Sequence, residues 1–221
     1  MTEALPDYKV GMGFGLHQGW AIEGAIGSYF KIDASYLSPN VNMASRLEMA
    51  TMQYGVHILI SGELVPICSK DVRKLMREVD VVKVKGSDNP IKLFTIDAQI
   101  DDIKEVTDRI KKLKIKEKKA ILGREKQVLW ESLKRKAMST ISVFRNDTDF
   151  SDLRKGFNKE FNSRWTLAYE KYISGEWSEA SRLLKLGQEM RPDDGPTKTL
   201  LKVISNMSVP GENDFNAPED W

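Results

Sequence analysis

Two polar residues, Asn42 and Arg46, stand four positions apart in the segment VNMASRLE. On a helix this spacing places both side chains on one face, about one turn apart. An arginine guanidinium offers a permanent planar set of donors to phosphate oxygens, and an asparagine amide can both donate to and accept from ribose hydroxyl groups. The pair could therefore hold a nucleotide and stabilise charge that builds up on its α-phosphate. The spacing alone is common on surface helices, so the surrounding sequence must support the assignment.

The residues around the pair predict the helix that it needs. Ser38, just before Pro39, is suited to the N-cap, and Gly55 is suited to the stop. Between them, apolar residues recur at the helical spacing expected of a buried face. These residues are Val41, Ala44, Leu47 and Ala50.

Strands are predicted on both sides of this helix. The segments YKVGMGFGLH and WAIEGAIGS, separated by Gln18 and Gly19, predict two buried strands joined by a tight turn. His17 at the end of the first segment is expected to pack in that turn. Further on, HILIS predicts a strand and GELVPIC a short helix, while EVDVVKVKG and IKLFTIDA predict a second hairpin. Together these predicted strands and helices indicate a mixed α/β unit.

The character of the chain changes after Ala98. Residues 104–126 carry ten Lys or Arg against four Asp or Glu, which predicts a solvated helix that joins two domains. The alternative is a basic, amphipathic contact surface for an acidic, calmodulin-like partner. We expect three parts: residues 1–98, a helical basic linker over residues 99–150, and a helical region with a tail over residues 151–221.

The last part contains one pattern close to that of a tetratricopeptide repeat. A single repeat cannot bury its own face, so we expect it to pack on flanking helices rather than to form a solenoid. The residues that match the large, small and helix-ending positions are Trp165, Leu167, Ala168, Gly175, Ala180, Leu184 and Pro192.

The composition narrows the classes of partner. A formal net charge of +2, from 34 basic and 32 acidic side chains, gives no global field that would attract nucleic acid. One cysteine, Cys68, and two histidines cannot form a disulfide or a zinc-type ligand cluster. The sequence contains no run of about 18 apolar residues, so it predicts no membrane span, and we expect a cytoplasmic protein.

The sequence around Asn42 and Arg46 resembles that of a known family. The segment VNMASRLE, preceded by GFGLHQGWAIEGAIGS and followed by VKVKG, resembles the catalytic domain of class III adenylyl and guanylyl cyclases, and KIDASYLSPNVNMASRLE is most similar to its protist members. The resemblance covers about residues 8–97, and the later helical part resembles the extension that follows the domain in such proteins. It implies an α+β fold: a partial ferredoxin-like cyclase half-domain followed by an all-α, tetratricopeptide-like region.

The resemblance also implies roles for single residues. The asparagine that orients the ribose matches Asn42, and the arginine that stabilises the transition state matches Arg46. A lysine that contacts the terminal phosphates matches Lys85, for which an exposed hairpin lysine is the alternative. The purine-selecting position, typically Asp in adenylyl and Cys in guanylyl cyclases, holds Ser35, so the nucleotide could be ATP or GTP, and a plain turn hydroxyl is the alternative.

One departure from the family pattern decides the expected activity. The family binds two Mg²⁺ ions through two aspartates that lie upstream of the strand beginning at Tyr8, and this sequence lacks both. Without the metals the attacking hydroxyl is not activated and the charge of the pyrophosphate is not neutralised. We therefore expect no metal site and little or no activity from the chain alone. Because family sites form between two subunits, a partner could supply the missing half.

Removal of the leading strands would expose a sheet edge, so we expect an obligate protein partner that covers it. The first hypothesis is a cyclase-homology subunit in cyclic-nucleotide signalling, inactive alone or complementing another cyclase-type subunit. The second is a non-catalytic scaffold of a large assembly, such as a ciliary one or one peripheral to a membrane-bound complex. A truncated gene model whose true N-terminus carries the missing strands is the third.

Overall fold

The computed structural model of the chain describes residues 11–83, 89–98, 115–136 and 138–207. It divides into two compact units, one made of Met1–Ile96 with Lys159–Trp221 and the other of Asp97–Asn158. The first unit contains the predicted nucleotide-binding pair. The boundaries 98, 150 and 151 that the sequence suggests for separate domains stay predictions.

The first unit combines strands, helices and a C-terminal group of three helices. Its strands are β1 (Phe14–Leu16), β2 (Ile22–Ser28), β3 (Lys31–Leu37), β4 (Ile58–Ser61), β5 (Met76–Val82) and β6 (Ile91–Ile96). Its first helices are α1 (Pro39–Tyr54) and the short α2 (Lys70–Arg73), with a 3₁₀ turn at Val65–Ile67. In the second unit lie α3 (Ile115–Lys134), α4 (Thr140–Asn146) and α5 (Thr148–Leu153). The first unit ends with α6 (Lys159–Ile173), α7 (Trp177–Met190) and α8 (Gly195–Met207).

Four strands form one sheet in the order β1-β4-β6-β5, and β2 and β3 form a separate two-stranded hairpin. β1 runs parallel to β4, whereas β6 is antiparallel to both β4 and β5. The predicted hairpin of β5 and β6 is confirmed. The α+β class is confirmed as well, while the ferredoxin-like and tetratricopeptide-like descriptions stay predictions.

The predicted pairing of the first two strand segments is wrong. β1 pairs with β4, and β2 pairs with β3. The turn between β2 and β3 is made of Tyr29 and Phe30. Those two turn residues lack the Asn-Gly type of signal that marks a tight hairpin turn, so the sequence did not indicate β3. β1 is instead held beneath α1: a side chain at Gly15 would collide with the backbone of Ala44 and Glu48.

The predicted helix is confirmed with its caps. The hydroxyl of Ser38 accepts a hydrogen bond from the Asn40 amide, and Gly55 ends α1 in the left-handed conformation with φ 58°. Of the predicted buried face, Leu47 and Ala50 are buried whereas Val41 is exposed. The buried face is completed toward the C-terminal end of the helix by Thr51 and Tyr54.

One hydrophobic core joins α1, the sheet and the three C-terminal helices. Burial of this apolar surface is the main stabilising contribution, at roughly 25 cal/mol per Å². The C-terminal helices therefore complete the same core as the sheet. Its buried members are Leu47, Ala50, Tyr54, Leu59, Val79, Ile91, Leu93, Trp165, Ala168, Tyr169, Ala180, Leu184, Leu200 and Ile204.

A buried ion pair ties the C-terminal helices to strand β5. The guanidinium of Arg77 donates to Asp194 through Nη2 at 2.7 Å and Nη1 at 3.2 Å. The same guanidinium lies over the ring of Trp165 at 4.4 Å, and the Trp165 indole donates to the carbonyl of Glu78. Asp194 also accepts from the amide and hydroxyl of Thr197 in the first turn of α8. The carboxylate thus caps one helix and neutralises one strand cation.

A second buried carboxylate, Asp80 on β5, has a different environment. It accepts from the Tyr54 hydroxyl at 2.6 Å and from the Val81 amide at 2.7 Å. Burial raises the pKa of Asp80, and these two hydrogen bonds only partly oppose the rise. For Asp194, burial acts in the same sense, but the charge of Arg77 and the bonds from Arg77 and Thr197 outweigh it, so its pKa lies below the ordinary value.

These opposite shifts predict opposite pH dependences. Asp80 holds its proton more tightly in the folded chain, so its contribution to stability falls as pH rises from 3.8 through the raised pKa. Asp194 contributes stability that is present above pH 3.8 and is lost as pH falls through its lowered pKa. We expect Asp194→Asn to lower the free energy of unfolding by about 3–5 kcal/mol at pH 7, because Arg77 is left buried without its counter-charge, and by less near pH 3.

The matched variant is Asp80→Asn, whose free energy of unfolding relative to the unmodified chain should improve, not worsen, between pH 4 and pH 7. Urea unfolding of the full chain at several pH values measures both differences. If the two variants show pH dependences of the same sign, the assignment of the two carboxylates is wrong.

Candidate functional site

The predicted nucleotide-binding pair lies on the outer face of α1. Asn42 is exposed and Arg46 is partly exposed, whereas Leu47 and Ala50 on the other side of the helix are buried in the core. Within the described residues, neither the Asn42 amide nor the Arg46 guanidinium makes a hydrogen bond or an ion pair. Both groups are therefore open to a ligand.

The C-terminal end of α1 is held by α8. The hydroxyl of Thr199 donates to the carbonyl of Gln53 at 3.0 Å, one of the carbonyl groups in the last turn of the helix. A side chain at Gly195 would collide with the carbonyl oxygen of Tyr54 and with Gly55, so glycine at this position permits the close approach of the two helices. The C-terminal helices thus fix the helix that presents the pair.

The N-terminal end of α1 is held by the segment that precedes the β2–β3 hairpin. The carbonyl of Trp20 accepts a hydrogen bond from the Ser38 hydroxyl at 2.5 Å and another from the Asn40 side chain amide at 2.8 Å. Ser38 is therefore both the N-cap of α1 and an anchor for the hairpin. Two hydrogen bonds thus connect the first turn of α1 to the base of the hairpin.

A histidine connects this anchor to the sheet. His17, whose side chain is only 7% exposed, lies 2.7 Å from the Ser61 hydroxyl through Nδ1 and 3.1 Å from the Asn40 Oδ1 through Nε2. Because Asn40 donates its Nδ2 to Trp20, its Oδ1 faces the imidazole and must accept. The proton of neutral His17 therefore sits on Nε2, and Nδ1 accepts from Ser61. Glu63, at 3.8 Å from Nδ1, is the nearest carboxylate.

Sequence reasoning gave His17 a role in turn packing and missed this network. Its partners lie 23 and 44 residues away along the chain. The approach of His17 to Ser61 depends on the pairing of β1 with β4, which the sequence did not indicate. The one available signal was the family-like segment GFGLHQGW, which contains His17.

The remaining predicted site residues lie elsewhere. Ser35 is on β3 opposite Gly24, on the hairpin rather than on α1, and it is partly exposed. Lys85 falls outside the described residues, in the connection between β5 and β6. The structure thus brings Asn42 and Arg46 together, and it leaves the contributions of Ser35 and Lys85 as predictions.

The hairpin of β2 and β3 exposes apolar side chains on both of its faces. Each residue of β2 is exposed, so the burial predicted for this strand is wrong. A two-stranded hairpin is marginally stable in water by itself, and an apolar surface of this kind marks a contact with another molecule. The large exposed side chains on and beside it are Trp20, Ile22, Ile26, Tyr29, Phe30, Ile32, Tyr36 and Leu37.

A carboxylate cluster for metal ions does not form in the described part of the chain. No group of three His, Cys, Asp or Glu side chains there is placed to hold a metal. Asp33, a carboxylate close to the pair in sequence, pairs instead with Lys31 at 2.8 Å on the exposed hairpin. The described residues therefore offer no cluster of three ligands for a metal ion.

One structural feature bears on the membrane. Among the residues that the structure describes, none of the helices combines the length and the apolar character needed to cross a bilayer.

Comparison with known proteins gives a consistent set of relatives. The chain is 36% identical over 91 residues to an adenylate cyclase of Anabaena cylindrica. The aligned region covers 41% of this chain and 18% of the relative. It is 33% identical over 95 residues to adenylate cyclase 1 of Rhizobium meliloti (strain 1021), covering 43% and 14%. The chain thus spans less than a fifth of the length of either curated relative.

The chain was also compared with solved structures and with models of protein families. A solved structure of a bacterial light-regulated adenylyl cyclase is 30% identical, with a TM-score of 0.33, over 38% of this chain and 23% of that one. No family model matches the chain.

The His17 network yields a prediction about the anchoring of α1. Replacing His17 by Ala leaves the fully buried Ser61 hydroxyl and the Asn40 Oδ1 without their partner, so we expect the free energy of unfolding to fall by about 1–3 kcal/mol. His57→Ala is the matched control, because His57 contributes its backbone carbonyl to the amide of Phe14, which the substitution keeps. Urea unfolding measures both. Nitrogen NMR should report the neutral imidazole as the tautomer with its proton on Nε2, and the neutral tautomer with its proton on Nδ1 would contradict the network.

Proposed function

We propose, from the premise that part of this chain is a class III nucleotidyl cyclase-like domain, that the chain is a nucleotide-binding cyclase-homology subunit that acts with a protein partner in cyclic-nucleotide signalling. The observation that carries the proposal is the outer face of α1. There the Asn42 amide and the Arg46 guanidinium are open to a ligand on a helix that is anchored at both ends. The sequence similarity to two adenylate cyclases supports the same proposal.

The pair would act on ATP or GTP. Arg46 would donate to oxygens of the α-phosphate, where negative charge grows as the ribose 3′-hydroxyl attacks and pyrophosphate leaves. Asn42 would hydrogen-bond the ribose and hold its hydroxyl group in line. By family resemblance, Lys85 would contact the terminal phosphates and Ser35 would lie near the purine, where serine favours neither base.

The chain alone would turn over little nucleotide. The family reaction depends on Mg²⁺, which activates the hydroxyl and neutralises the leaving pyrophosphate, and the described residues contain no group of three ligands placed to hold a metal ion. A partner that brings its own metal-binding carboxylates would complete the site. We therefore propose a complementing role, with the chain supplying the groups that hold sugar and phosphate.

The exposed hairpin supports a partner of the cyclase type. Its base is hydrogen-bonded to the first turn of α1, so a polypeptide that covers the hairpin would come close to the pair on the next turn. β1 also ends the order of the described sheet, with Phe14 and Leu16 47% and 41% exposed. Within the described residues, these surfaces offer both an apolar contact and the edge of a sheet.

The alternative function is a non-catalytic scaffold. The extent of the exposed hairpin favours it, because such a surface could serve assembly alone. In that case the tetratricopeptide-like helices would be a docking module, and the chain would belong to a larger complex of the cytoplasm, a cilium or the periphery of a membrane. Nucleotide binding separates the two functions.

The first prediction from this proposal concerns nucleotide affinity. Removing the guanidinium in Arg46→Ala should weaken binding of a fluorescent ATP or GTP analogue by roughly 10- to 100-fold, the loss expected for about 1.5–3 kcal/mol of charge-assisted hydrogen bonding. Arg182→Ala is the control, because that arginine lies on α7 in an exposed pair with Glu179. Equal affinity in all three proteins would favour the scaffold.

The second prediction concerns complementation. A class III catalytic domain that keeps its metal-binding aspartates but lacks its own helix asparagine and arginine should regain cyclic-nucleotide production when mixed with this chain. The regained activity should disappear with Arg46→Ala. It should fall at least tenfold with Ile26→Lys, because a charge on the exposed hairpin would be buried in the contact.

Leu167→Ala serves as the control for that variant, since Leu167 is an exposed apolar residue on α6, away from the hairpin. Production of cyclic nucleotide by the mixture with Arg46→Ala at the same rate would rule out the proposed division of the site.

A further inference from the structure

Helix α3 of the second unit exposes large apolar side chains, while its Ile121, Leu129 and Leu133 are partly buried. It is 20 residues long, or about 30 Å, and none of its side chains that the structure describes is buried. Leu122, Val128 and Trp130 are 47%, 66% and 60% exposed. Large apolar side chains exposed together on one element mark a site of contact with another molecule.

The apolar residues of α3 form two pairs with a spacing of two turns. Ile121 and Leu122 are followed seven residues later by Val128 and Leu129, and Leu133 lies one turn further on. Seven residues are close to two helical turns, so the two pairs share one face of the helix. This is the arrangement of anchors that a helix-binding groove accepts.

The charge of α3 adds a second requirement. The helix contains six Lys or Arg and three Glu, a net charge of +3, and Arg135 and Lys136 follow it directly. Among the described residues, the charged groups of Lys119, Arg124 and Lys126 make no ion pair. The molecule that covers the apolar face should therefore carry negative charge around its groove.

The position of one glutamate distinguishes a protein groove from a lipid surface. Glu125 falls four residues after Ile121 and four before Leu129, which places a carboxylate on the same face between the two apolar pairs. Trp130 is turned half a revolution away from Ile121. A helix that lies in a membrane interface needs a continuous apolar face, whereas a groove with two separate pockets tolerates a polar residue between them.

We infer that α3 is the docking helix for an acidic protein that holds amphipathic helices in an apolar groove, as calcium-loaded calmodulin does. The two apolar pairs fill the groove, and the basic side chains face the acidic rim. Binding needs neither Asn42 nor Arg46, so this inference stands independently of nucleotide binding by α1.

Calmodulin is the probe that tests the inference. Titration of labelled calmodulin with the full chain should give saturable binding in calcium that weakens at least tenfold when calcium is chelated, because the apolar groove opens only in the loaded form. Leu122→Ala combined with Val128→Ala should weaken binding at least tenfold. Lys119→Glu combined with Lys126→Glu should do the same and should reduce the salt dependence of the affinity.

The matched control is Leu167→Ala on α6, because Leu167 and Leu122 are both 47% exposed. It should leave the affinity for calmodulin unchanged. All the substituted α3 side chains are outside any core, so circular dichroism should show the same helix content in each variant.

Vesicles of phosphatidylserine and phosphatidylcholine test the competing occupant. Binding to vesicles with no binding to calmodulin would overturn the inference in favour of a lipid surface. Absence of binding to both, or calmodulin binding that the α3 variants leave unchanged, would overturn it as well.

Discussion

The buried contact between Arg77 and Asp194 is the interaction on which the described site depends. It joins β5 to the start of α8 across 117 residues of sequence, and the same carboxylate caps α8 through Thr197. α8 in turn donates from Thr199 to the last turn of α1. A chain of short contacts therefore leads from a strand cation to the helix that carries Asn42 and Arg46. A pair that holds phosphate and sugar, as proposed, has to be fixed in position, so this support at the far end of α1 matters as much as the pair itself.

The two ends of α1 are held by different means. At its start, the hydrogen bonds from Ser38 and Asn40 to Trp20 and the His17 network are polar and directional. At its end, the contact is mostly apolar, with glycine at position 195 allowing close approach. Polar anchors set the rotation of the first turn, and the packed end sets the position of the axis. The side chains of Asn42 and Arg46 on the outer face are then not needed to hold the helix in place, which is why they can be left for a ligand.

The sequence predicted the local elements that have strong local signals. α1 carried a cap, a stop and an apolar face, and β5 and β6 carried β-branched runs around a polar turn, so both were correct. The pairing of β1 with β4 could not be predicted, because it depends on which strands lie side by side in space. The His17 network was missed for the same reason. The Arg77–Asp194 contact joins residues whose separation in sequence gives no pattern to detect.

The two exposed apolar surfaces differ in a way that sets what they can bind. The hairpin of β2 and β3 presents aromatic and β-branched residues on both faces, with Lys31 and Asp33 already paired to each other. A surface of that kind suits a permanent contact, because it is mostly uncharged and its association should vary little with salt. α3 presents discrete apolar pairs within a strongly basic helix, so its association should be steered by charge and weaken as salt rises. A stable partner at the hairpin and a reversible one at α3 would let the chain keep its assembly while its state is regulated.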